Sequence, residues 1–249
     1  MASEIAQRLG LPTHHTELAL WEGKRGCAVK SFLASTQSVL VHGNELLCGL
    51  ITGYDKDKAR GQADHTFDNI VKAFEKLFPL DKARREASFR MVGYLVFDAL
   101  VGNTDRHHQN WGVMLEREVL PDQKPGFALQ LAPTFDHASS LGRELTDVAR
   151  ERYLRDGTVN RYIRKGHGGI FGDALARHWL SPMAVAQMLA TRYAPFFNPW
   201  QTRVKELSDE VLSDLLSRVP DERISASDRS FDLAFRKESR KLITSQITL

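Results

Sequence analysis

The sequence contains only two cysteines among its 249 residues, Cys27 and Cys48, and neither belongs to a C-x-x-C pair. So few thiols exclude a disulfide framework, and the lack of C-x-x-C and H-x-x-x-H spacings argues against the common zinc sites. Each cysteine has apolar neighbours in the sequence. We therefore expect both thiols to be buried and reduced, as is usual in a cytosolic protein.

Long apolar runs are also missing. The most apolar stretch, MVGYLVFDALVG at residues 91–102, is too short to span a bilayer and contains Asp98. The N-terminal MASEIAQRLG lacks the apolar segment of a signal peptide. The 34 basic and 31 acidic residues leave a net charge of only +3, which gives no reason to expect nucleic acid as a partner. These absences predict a soluble, cytoplasmic protein with no direct nucleic-acid binding and no membrane attachment.

The N-terminal part of the sequence predicts three helices and a β-hairpin. The segment ASEIAQRLG is the end of a helix that stops at Gly10. The segments TELALW and CAVKSFL form a hairpin around EGKRG. A helix with the 3.6-residue apolar period follows from Thr66, and another covers residues 81–100, whose later half is apolar on most sides. Residues 35–47, STQSVLVHGNELL, are expected to be irregular.

The C-terminal part predicts a second hairpin and further helices. Apolar residues alternate with period two in WGVML and FALQL, as in paired strands. Residues 143–169 hold seven basic residues, four acids and four glycines, which favours a solvated loop with a short helix over a substrate-facing segment. Helices are expected from Ser181, over residues 204–216 and over residues 227–242. The sequence thus predicts an α+β fold, mostly α-helical, with two small β-hairpins.

A dense polar loop joins the apolar helix to the second hairpin. The stretch GNTDRHHQNWGVML contains Asp105 and Asn110, and the hairpin returns the chain to Asp136 in APTFDHASSLG. Because the outer ends of antiparallel strands meet, Asp136 should lie beside the other two residues. One carboxylate can accept the proton of an attacking hydroxyl, while an amide oxygen and a second carboxylate can hold Mg²⁺ on a triphosphate. Order and spacing favour phosphoryl transfer over the alternative that these residues merely cap turns.

The same residues resemble a known family. DALVGNTDRHHQNWGVML followed by LAPTFDHASSLG is similar to the C-terminal kinase domain of the HipA-like serine/threonine kinases, whose toxin members act in bacterial toxin–antitoxin systems. The resemblance implies a protein-kinase-like large lobe that uses ATP and Mg²⁺ to phosphorylate a protein Ser or Thr. It also implies that Asp105 is the catalytic base, that Asn110 and Asp136 bind magnesium and the nucleotide, and that His107 contacts the phosphates.

The resemblance extends to the N-terminal hairpin. AVKSF matches the hinge strand of the family, which implies that the backbones of Lys30 and Phe32 contact adenine. The chain would then divide into a remnant of the small lobe and hinge at residues 1–45 and the large lobe at residues 46–249. A glycine-rich phosphate loop and an ATP-binding lysine are expected upstream, and Lys24 and Lys30 lie too late in the order to serve. The isolated chain is therefore expected to be weakly active or inactive, with a small-lobe chain or an antitoxin as its partner.

Other classes of function stay open. A metal-dependent hydrolase could use a cluster of Asp105, His107, His108, Asp136 and His137, although adjacent histidines seldom reach one ion. A non-catalytic interaction module, such as a pseudokinase or half of a split kinase, would fit the incomplete small lobe. Small-molecule and lipid phosphotransferases share the Asp, Asn and Asp chemistry. His137 itself stands where ordinary protein kinases have the Phe of D-F-G.

Several single residues have ordinary structural interpretations. Three histidines are expected at the surface or at hydrogen-bonded polar positions: His14, His15 and His42. Trp111 is expected in the core. Arg106 could contact a phosphorylated segment or form a local salt bridge. The segment RKGHGG, residues 164–169, is expected to be a flexible turn rather than a phosphate-binding nest.

Overall fold

The computed structural model describes residues 1–33, 38–58, 60–119, 125–176 and 178–245, and most of its regular structure is helical. The α-helices in these ranges are α1 Ala2–Arg8, α2 Gly43–Cys48, α3 Phe67–Leu77, α4 Asp81–Val101, α5 Asp147–Arg155, α6 Val159–Lys165, α7 Pro182–Arg192, α8 Ala194–Glu206, α9 Asp209–Ser217 and α10 Ala226–Ser245. The predicted α+β, mostly helical fold class is confirmed.

The strands of the described residues form two small antiparallel sheets. Their bounds are β1 Thr16–Trp21, β2 Lys24–Val29, β3 Ser38–His42, β4 Gly112–Val119 and β5 Pro125–Leu131. β1 and β2 form the first predicted hairpin, but β2 begins at Lys24, inside the predicted turn, and ends at Val29, before the predicted end at Leu33. β4 and β5 form the second, with Val113 opposite Leu131, and β3 adds to the outer side of β4, with Val41 opposite Val113. The second hairpin is therefore part of a three-stranded sheet in the order β3-β4-β5.

The segment expected to be irregular is regular where it is described. Residues 38–47 form β3 and most of α2, whereas residues 35–37 lie outside the described residues. The backbone N–H of His42 donates to the Glu45 carboxylate over 3.0 Å, and this closes a capping box at the start of α2. The prediction was wrong because β3 pairs with β4, a partner far along the chain that a local pattern does not indicate.

α4 is the central helix, and its position sets the start of the polar loop. Its later half is buried on every side and packs against α7, α8 and α10. Gly102 ends the helix in the left-handed conformation, with φ 65°. A Cβ at this position would lie 2.4 Å from the Phe235 ring, so only glycine fits. No helix in the described ranges, α4 included, is long and apolar enough to cross a membrane.

Two predictions for the C-terminal half need correction. Residues 143–169 contain two helices, α5 and α6, and the Thr146 side chain caps the first by accepting a hydrogen bond from the Ala149 N–H. The single helix expected over residues 204–216 is two helices, because the Ser208 side chain caps the start of α9 on the Val211 N–H. A serine at such a position begins a helix more readily than it continues one.

Both cysteines are exposed, so the expectation of buried thiols was wrong. Cys27 lies in β2, where every residue is exposed, and Cys48 ends α2. Apolar neighbours of Cys27 are themselves exposed, including Val29. The apolar pattern around Cys27 therefore belongs to an uncovered hairpin and not to the core.

The turn at residues 166–169 packs against the polar loop. The Gly169 carbonyl accepts a hydrogen bond from His65 Nδ1 over 2.7 Å. Gly169 has φ 73°, and a Cβ there would lie 2.6 Å from the backbone carbonyl of Arg106 and 2.8 Å from the His107 nitrogen. Only the last two residues of the segment expected to be a flexible turn, Gly168 and Gly169, are buried, and Gly169 allows the two backbones to approach.

We predict that Gly169→Ala destabilises the protein more than Gly23→Ala. Gly23 has a nearly identical φ of 74°, but a Cβ there would meet nothing within 4 Å. Gly23→Ala should cost only the left-handed penalty of roughly 1–2 kcal/mol. Gly169→Ala adds overpacking of about 1–3 kcal/mol against the loop backbone. Urea unfolding of both variants measures the difference, and equal losses would show that the contact with residues 106 and 107 is unimportant.

Candidate active site

The loop after α4 is tied back to that helix by two side chains. Asn103 Nδ2 donates to Asp98 Oδ1 over 2.9 Å, and the backbone N–H of Asp105 donates to Asn103 Oδ1 over 3.2 Å. Asn103 and Asp98 are buried, whereas the Asp105 side chain is 32% exposed. The helix end therefore fixes the backbone of Asp105 while its carboxylate stays open to solvent.

Arg106 links the loop to the segment that precedes Asp136. Its guanidinium is 1% exposed and forms a two-point ion pair with Asp98, at 2.7 and 2.8 Å. It also donates to Thr134 Oγ1 over 3.0 Å and to the backbone carbonyls of Asn110 and Phe135, at 2.5 and 3.3 Å. Burial alone would lower the pKa of Arg106, but the Asp98 carboxylate outweighs burial and raises it. Of the two interpretations of Arg106, the structure shows the local salt bridge.

The residues predicted to act on a nucleotide lie around this guanidinium. Asn110 Nδ2 donates to the Asp105 carbonyl over 2.7 Å, and no recorded hydrogen bond of the described residues uses Asn110 Oδ1. Asp136 is exposed and has φ 54°, a conformation that aspartate tolerates better than most residues. A hydrogen bond positions the Asn110 side chain, and the backbone conformation positions that of Asp136. Both side chains keep oxygen atoms that a ligand could use.

His107 lies beside Asp105. Its Nε2 is 3.9 Å from Asp105 Oδ1. Burial lowers the pKa of His107, while the charges of Asp105 and Asp136 both act to raise it. The Gln109 N–H donates to His107 Nδ1 over 3.2 Å, which sets the orientation of the ring. The structure thus brings Asp105, His107 and Asp136 together at one surface.

A buried aromatic network supports the loop from behind. Trp111 Nε1 donates to His65 Nε2 over 3.0 Å, so the hydrogen of His65 is on Nδ1, which donates to Gly169. His108 Nδ1 is 2.7 Å from Tyr54 Oη. Burial lowers the pKa of His65 to about 3 and that of His108 to about 4. Trp111 is in the core, as predicted.

The histidine after Asp136 is also structural. His137 Nε2 is 2.8 Å from Thr134 Oγ1, and its ring stacks on His14 with centroids 5.4 Å apart. Burial lowers the pKa of His137 to about 2. His14 is buried and not at the surface, and its Nδ1 has no hydrogen-bond partner among the described residues. His42 and His15 have partners, as expected: the Gln109 carbonyl and the Glu17 carboxylate.

These orientations do not support a metal-ligand cluster. His108 and His137 turn their rings towards Tyr54 and Thr134 and not towards Asp136. No group of three or more His, Cys, Asp or Glu side chains in the described part of the chain could hold a metal ion. The hydrolase alternative therefore lacks its ligand set.

The predicted hinge residues, Lys30 and Phe32, line a cavity together with Asp136. The Lys30 N–H donates to the His15 carbonyl over 2.9 Å. The Phe32 ring lies 5.7 Å from that of Phe135, which directly precedes Asp136. Within the described ranges, no hydrogen bond is recorded for the Lys30 carbonyl or the Phe32 N–H. Both groups belong to residues that line this cavity.

A cavity of about 470 Å³ separates the hinge from Asp136. Its volume lies within the range of small-molecule sites. Three buried polar atoms without a partner in the described residues belong to lining residues: His14 Nδ1, Thr16 Oγ1 and Ser140 Oγ. Lys30 and Arg143 add two cations to the lining. Unsatisfied polar atoms in one cavity indicate a polar ligand or a covering chain.

We predict that Arg106→Ala lowers the free energy of unfolding by roughly 3–5 kcal/mol, because it leaves the Asp98 carboxylate buried and unpaired. The control is Arg84→Ala, which breaks the exposed pair with Asp81 at 2.5 Å and should cost less than about 1 kcal/mol. Chemical denaturation measures both values. A loss for Arg106→Ala as small as that of the control would contradict the structural role given to this ion pair.

We predict that His65 makes the protein less stable in mild acid. The unfolded chain protonates this ring near its ordinary pKa of 6.5, whereas the folded chain keeps it neutral down to about 3. Its contribution is complete above the unfolded pKa and is lost as the pH falls towards the folded value. From about pH 7 to about pH 5 the loss should be about 2 kcal/mol.

The test compares the pH dependence of urea unfolding in the parent chain, His65→Gln and His15→Gln. Asp232, whose pKa is raised by burial to about 6, acts in the opposite direction but equally in all three chains. The His65→Gln chain should lose about 2 kcal/mol less than the parent chain on acidification, and His15→Gln serves as the exposed control. Equal slopes for all three chains would refute the assignment.

Comparisons with known proteins address the fold. A family model described as the HipA-like C-terminal domain matches residues 1–193. A comparison with curated proteins finds no match. The crystal structure of the Helicobacter pylori proinflammatory kinase CtkA is similar at TM-score 0.76 and 20% identity, covering 98% of this chain and 82% of that chain. HipA of a Shewanella oneidensis MR-1 toxin–antitoxin system, solved with HipB and operator DNA, is similar at TM-score 0.58 and 13% identity, covering 98% of this chain and 53% of that chain.

At such identities the two solved structures show the fold alone, and that fold is kinase-like. It is the architecture that the loop and the second hairpin predicted. The family model covers most of the chain, including the first hairpin, α4, the loop and Asp136. The protein belongs to the family of HipA-like C-terminal domains.

Proposed function

We propose that the protein is the large lobe of a serine/threonine protein kinase, which transfers the γ-phosphate of ATP to a protein hydroxyl. The observation that carries the proposal is the Arg106 guanidinium, which binds the carbonyls of Asn110 and Phe135 at once. This contact connects the loop that carries the proposed base to the segment before Asp136, which supports the proposal. The kinase-like fold of the family supports the same chemistry.

Magnesium and ATP fit the residues present. Asn110 Oδ1 and the exposed Asp136 carboxylate are oxygen donors of the kind that Mg²⁺ prefers, and one of them is uncharged. Magnesium would neutralise the charge of the triphosphate. His107, which lies beside Asp105, would contact the phosphates as a hydrogen-bond donor. In the cavity, the Lys30 carbonyl and the Phe32 N–H would accept from and donate to adenine.

Asp105 is the proposed catalytic base. In the transfer, the hydroxyl oxygen of a Ser or Thr forms a bond to the γ-phosphorus, and the bond from the γ-phosphorus to the β,γ-bridging oxygen breaks. ADP leaves with the electron pair of the broken bond. Asp105 accepts the hydroxyl proton, and the Asn103 side chain and Gly102 fix the backbone that carries it.

The first hairpin supports the proposal that a second chain or segment completes the site. Trp21 is 75% exposed and Leu20 is 65% exposed, and Leu18 and Val29 are also exposed. A two-stranded sheet of this kind is marginally stable alone, and further strands would stabilise it, although the Ala19 carbonyl of β1 already accepts hydrogen bonds from Arg223. We propose a small-lobe segment or an antitoxin as that partner. The division of the chain at residues 45 and 46 remains part of this proposal.

The HipA structure bears on the expected absence of nucleic-acid contacts. HipA was solved with HipB and operator DNA, so a relative of similar fold is found in an assembly that contains DNA. Direct binding of nucleic acid to this chain is therefore an alternative that a binding measurement has to distinguish. The expectation of a cytoplasmic location stays a prediction.

We predict that calorimetry with purified protein detects ATP binding that depends on magnesium, and that Asp136→Ala abolishes it. Asp105→Ala should leave ATP binding unchanged and remove phosphate transfer, because the base takes no part in holding the nucleotide. The matched control is Asp81→Ala, which removes an exposed carboxylate at the start of α4.

Equal ATP affinity in Asp136→Ala and the parent chain would refute the ligand assignment. Failure of the folded parent chain to bind ATP would favour the alternative of a non-catalytic interaction module. The exposed first hairpin is the observation in favour of that alternative, because it offers a binding surface that needs no nucleotide.

A further inference from the structure

A second cavity of about 240 Å³ lies on the other side of the polar loop. Thr104, the residue before Asp105, is part of its lining. The two cavities share no lining residue, and the segment 136–144 separates them, since Arg143 lines the first and Glu144 the second. Thr104 therefore places this cavity next to Asp105 along the chain, while the proposed nucleotide site is the first cavity.

The floor and walls of this cavity are mostly apolar and aromatic. The residues that form them are Ala99, Tyr153, Tyr162, Ile163, Pro182 and Phe235. An apolar cavity of roughly 150 Å³ is enough to hold benzene. The space is therefore sufficient for one aromatic or large aliphatic side chain.

Two polar side chains that line this cavity, those of Tyr162 and Thr104, already have hydrogen-bond partners in the protein. The Tyr162 hydroxyl donates a hydrogen bond to the Glu144 carboxylate. Burial, followed by this carboxylate, raises the pKa of Tyr162, so the phenol remains a donor. Thr104 Oγ1 donates to the Ser139 carbonyl over 3.4 Å. The cation of Lys165 remains, and it forms no ion pair within the described residues.

The helix next to the cavity, α6, is positively charged, as is usual for a surface that binds acidic groups. α6 has the sequence VNRYIRK, which contains three cations and no acid. Arg161, Arg164 and Lys165 are exposed, and no salt bridge among the described residues uses them. Unpaired cations on one short helix favour an acidic partner over a basic one.

From these observations we infer that the second cavity and the cations of α6 bind the protein substrate. The inference rests on the proposed kinase function. The substrate segment would carry an aromatic or large aliphatic side chain near its accepting Ser or Thr, with acidic residues around it. An extended chain advances roughly 3.3–3.6 Å per residue, so a hydroxyl within a few residues of the inserted side chain could reach Asp105. The cavity would set which hydroxyl is presented.

Peptide binding to the full chain tests the inference. The probe is a set of fluorescein-labelled peptides with one Ser, one Phe at varied spacing from it, and Glu elsewhere, measured by fluorescence anisotropy. One spacing should bind best, and replacing its Phe by Ala should weaken binding about tenfold or more. Equal binding of all spacings and of the Ala peptide would overturn the inference.

Substitutions in the protein locate the site. Lys165→Glu should weaken binding of the best peptide severalfold, whereas Lys241→Glu, the same charge change on the exposed face of α10, should not. Tyr153→Ala should weaken binding by removing an aromatic wall, and its unfolding midpoint shows whether it is folded. If Tyr153→Ala does not fold, the comparison of Lys165→Glu with Lys241→Glu decides whether the peptide binds at this cavity. Equal losses for that pair would show general charge attraction and overturn the site.

Two further measurements separate this inference from its rivals. A single-stranded RNA or a DNA duplex that binds tighter than the best peptide, and is released by Lys165→Glu, would assign the cations of α6 to nucleic acid and overturn the inference. Asp136→Ala should leave peptide binding unchanged. Peptide binding without any ATP binding would refute the kinase proposal alone, and ATP binding without peptide selectivity would refute this inference alone.

Discussion

The buried ion pair between Arg106 and Asp98 is the interaction on which the candidate site depends. Asp98 lies in the middle of the most apolar segment of the protein, where an unpaired carboxylate would be costly. Arg106 compensates that charge with two hydrogen bonds and still has donors for Thr134, Asn110 and Phe135. One guanidinium therefore connects the central helix, the loop and the end of the second hairpin. Among the described residues, no other buried charged side chain contacts all three.

The same constraint explains the unusual backbone of the region. The loop must remain close to α4, so the chain uses Gly102 at the helix end and Gly169 where a second backbone packs against it. The histidines behind the loop are kept neutral by burial and act as hydrogen-bonding spacers, as the Trp111, His65 and Gly169 series shows. Rigid support from below is the condition for exposed functional groups to keep a fixed geometry.

Sequence patterns were sufficient wherever the contacts are local. The approach of Asp136 to the loop followed from the antiparallel pairing of two neighbouring strands, and α4 followed from its apolar length. The patterns failed where contacts between distant segments determine the local structure. β3 needs β4, the rings of His108 and His137 turn towards Tyr54 and Thr134, and the exposure of Cys27 depends on what covers the first hairpin. Asp98 was a visible signal, because a carboxylate in an apolar helix requires a buried partner.

The segment 136–144 separates the two cavities of the candidate site. Its backbone is hydrogen-bonded to the end of α4: the Leu141 N–H donates to the Val101 carbonyl over 2.8 Å, and the Thr104 N–H donates to the Ser139 carbonyl over 3.1 Å. These bonds fix the spacing between the cavity at the hinge and the cavity at α6. Because Asp105 follows Thr104, these bonds also fix the backbone of Asp105 beside the cavity at α6. Under the proposal, a nucleotide in one cavity and a substrate at the other would be held on either side of one backbone segment before transfer.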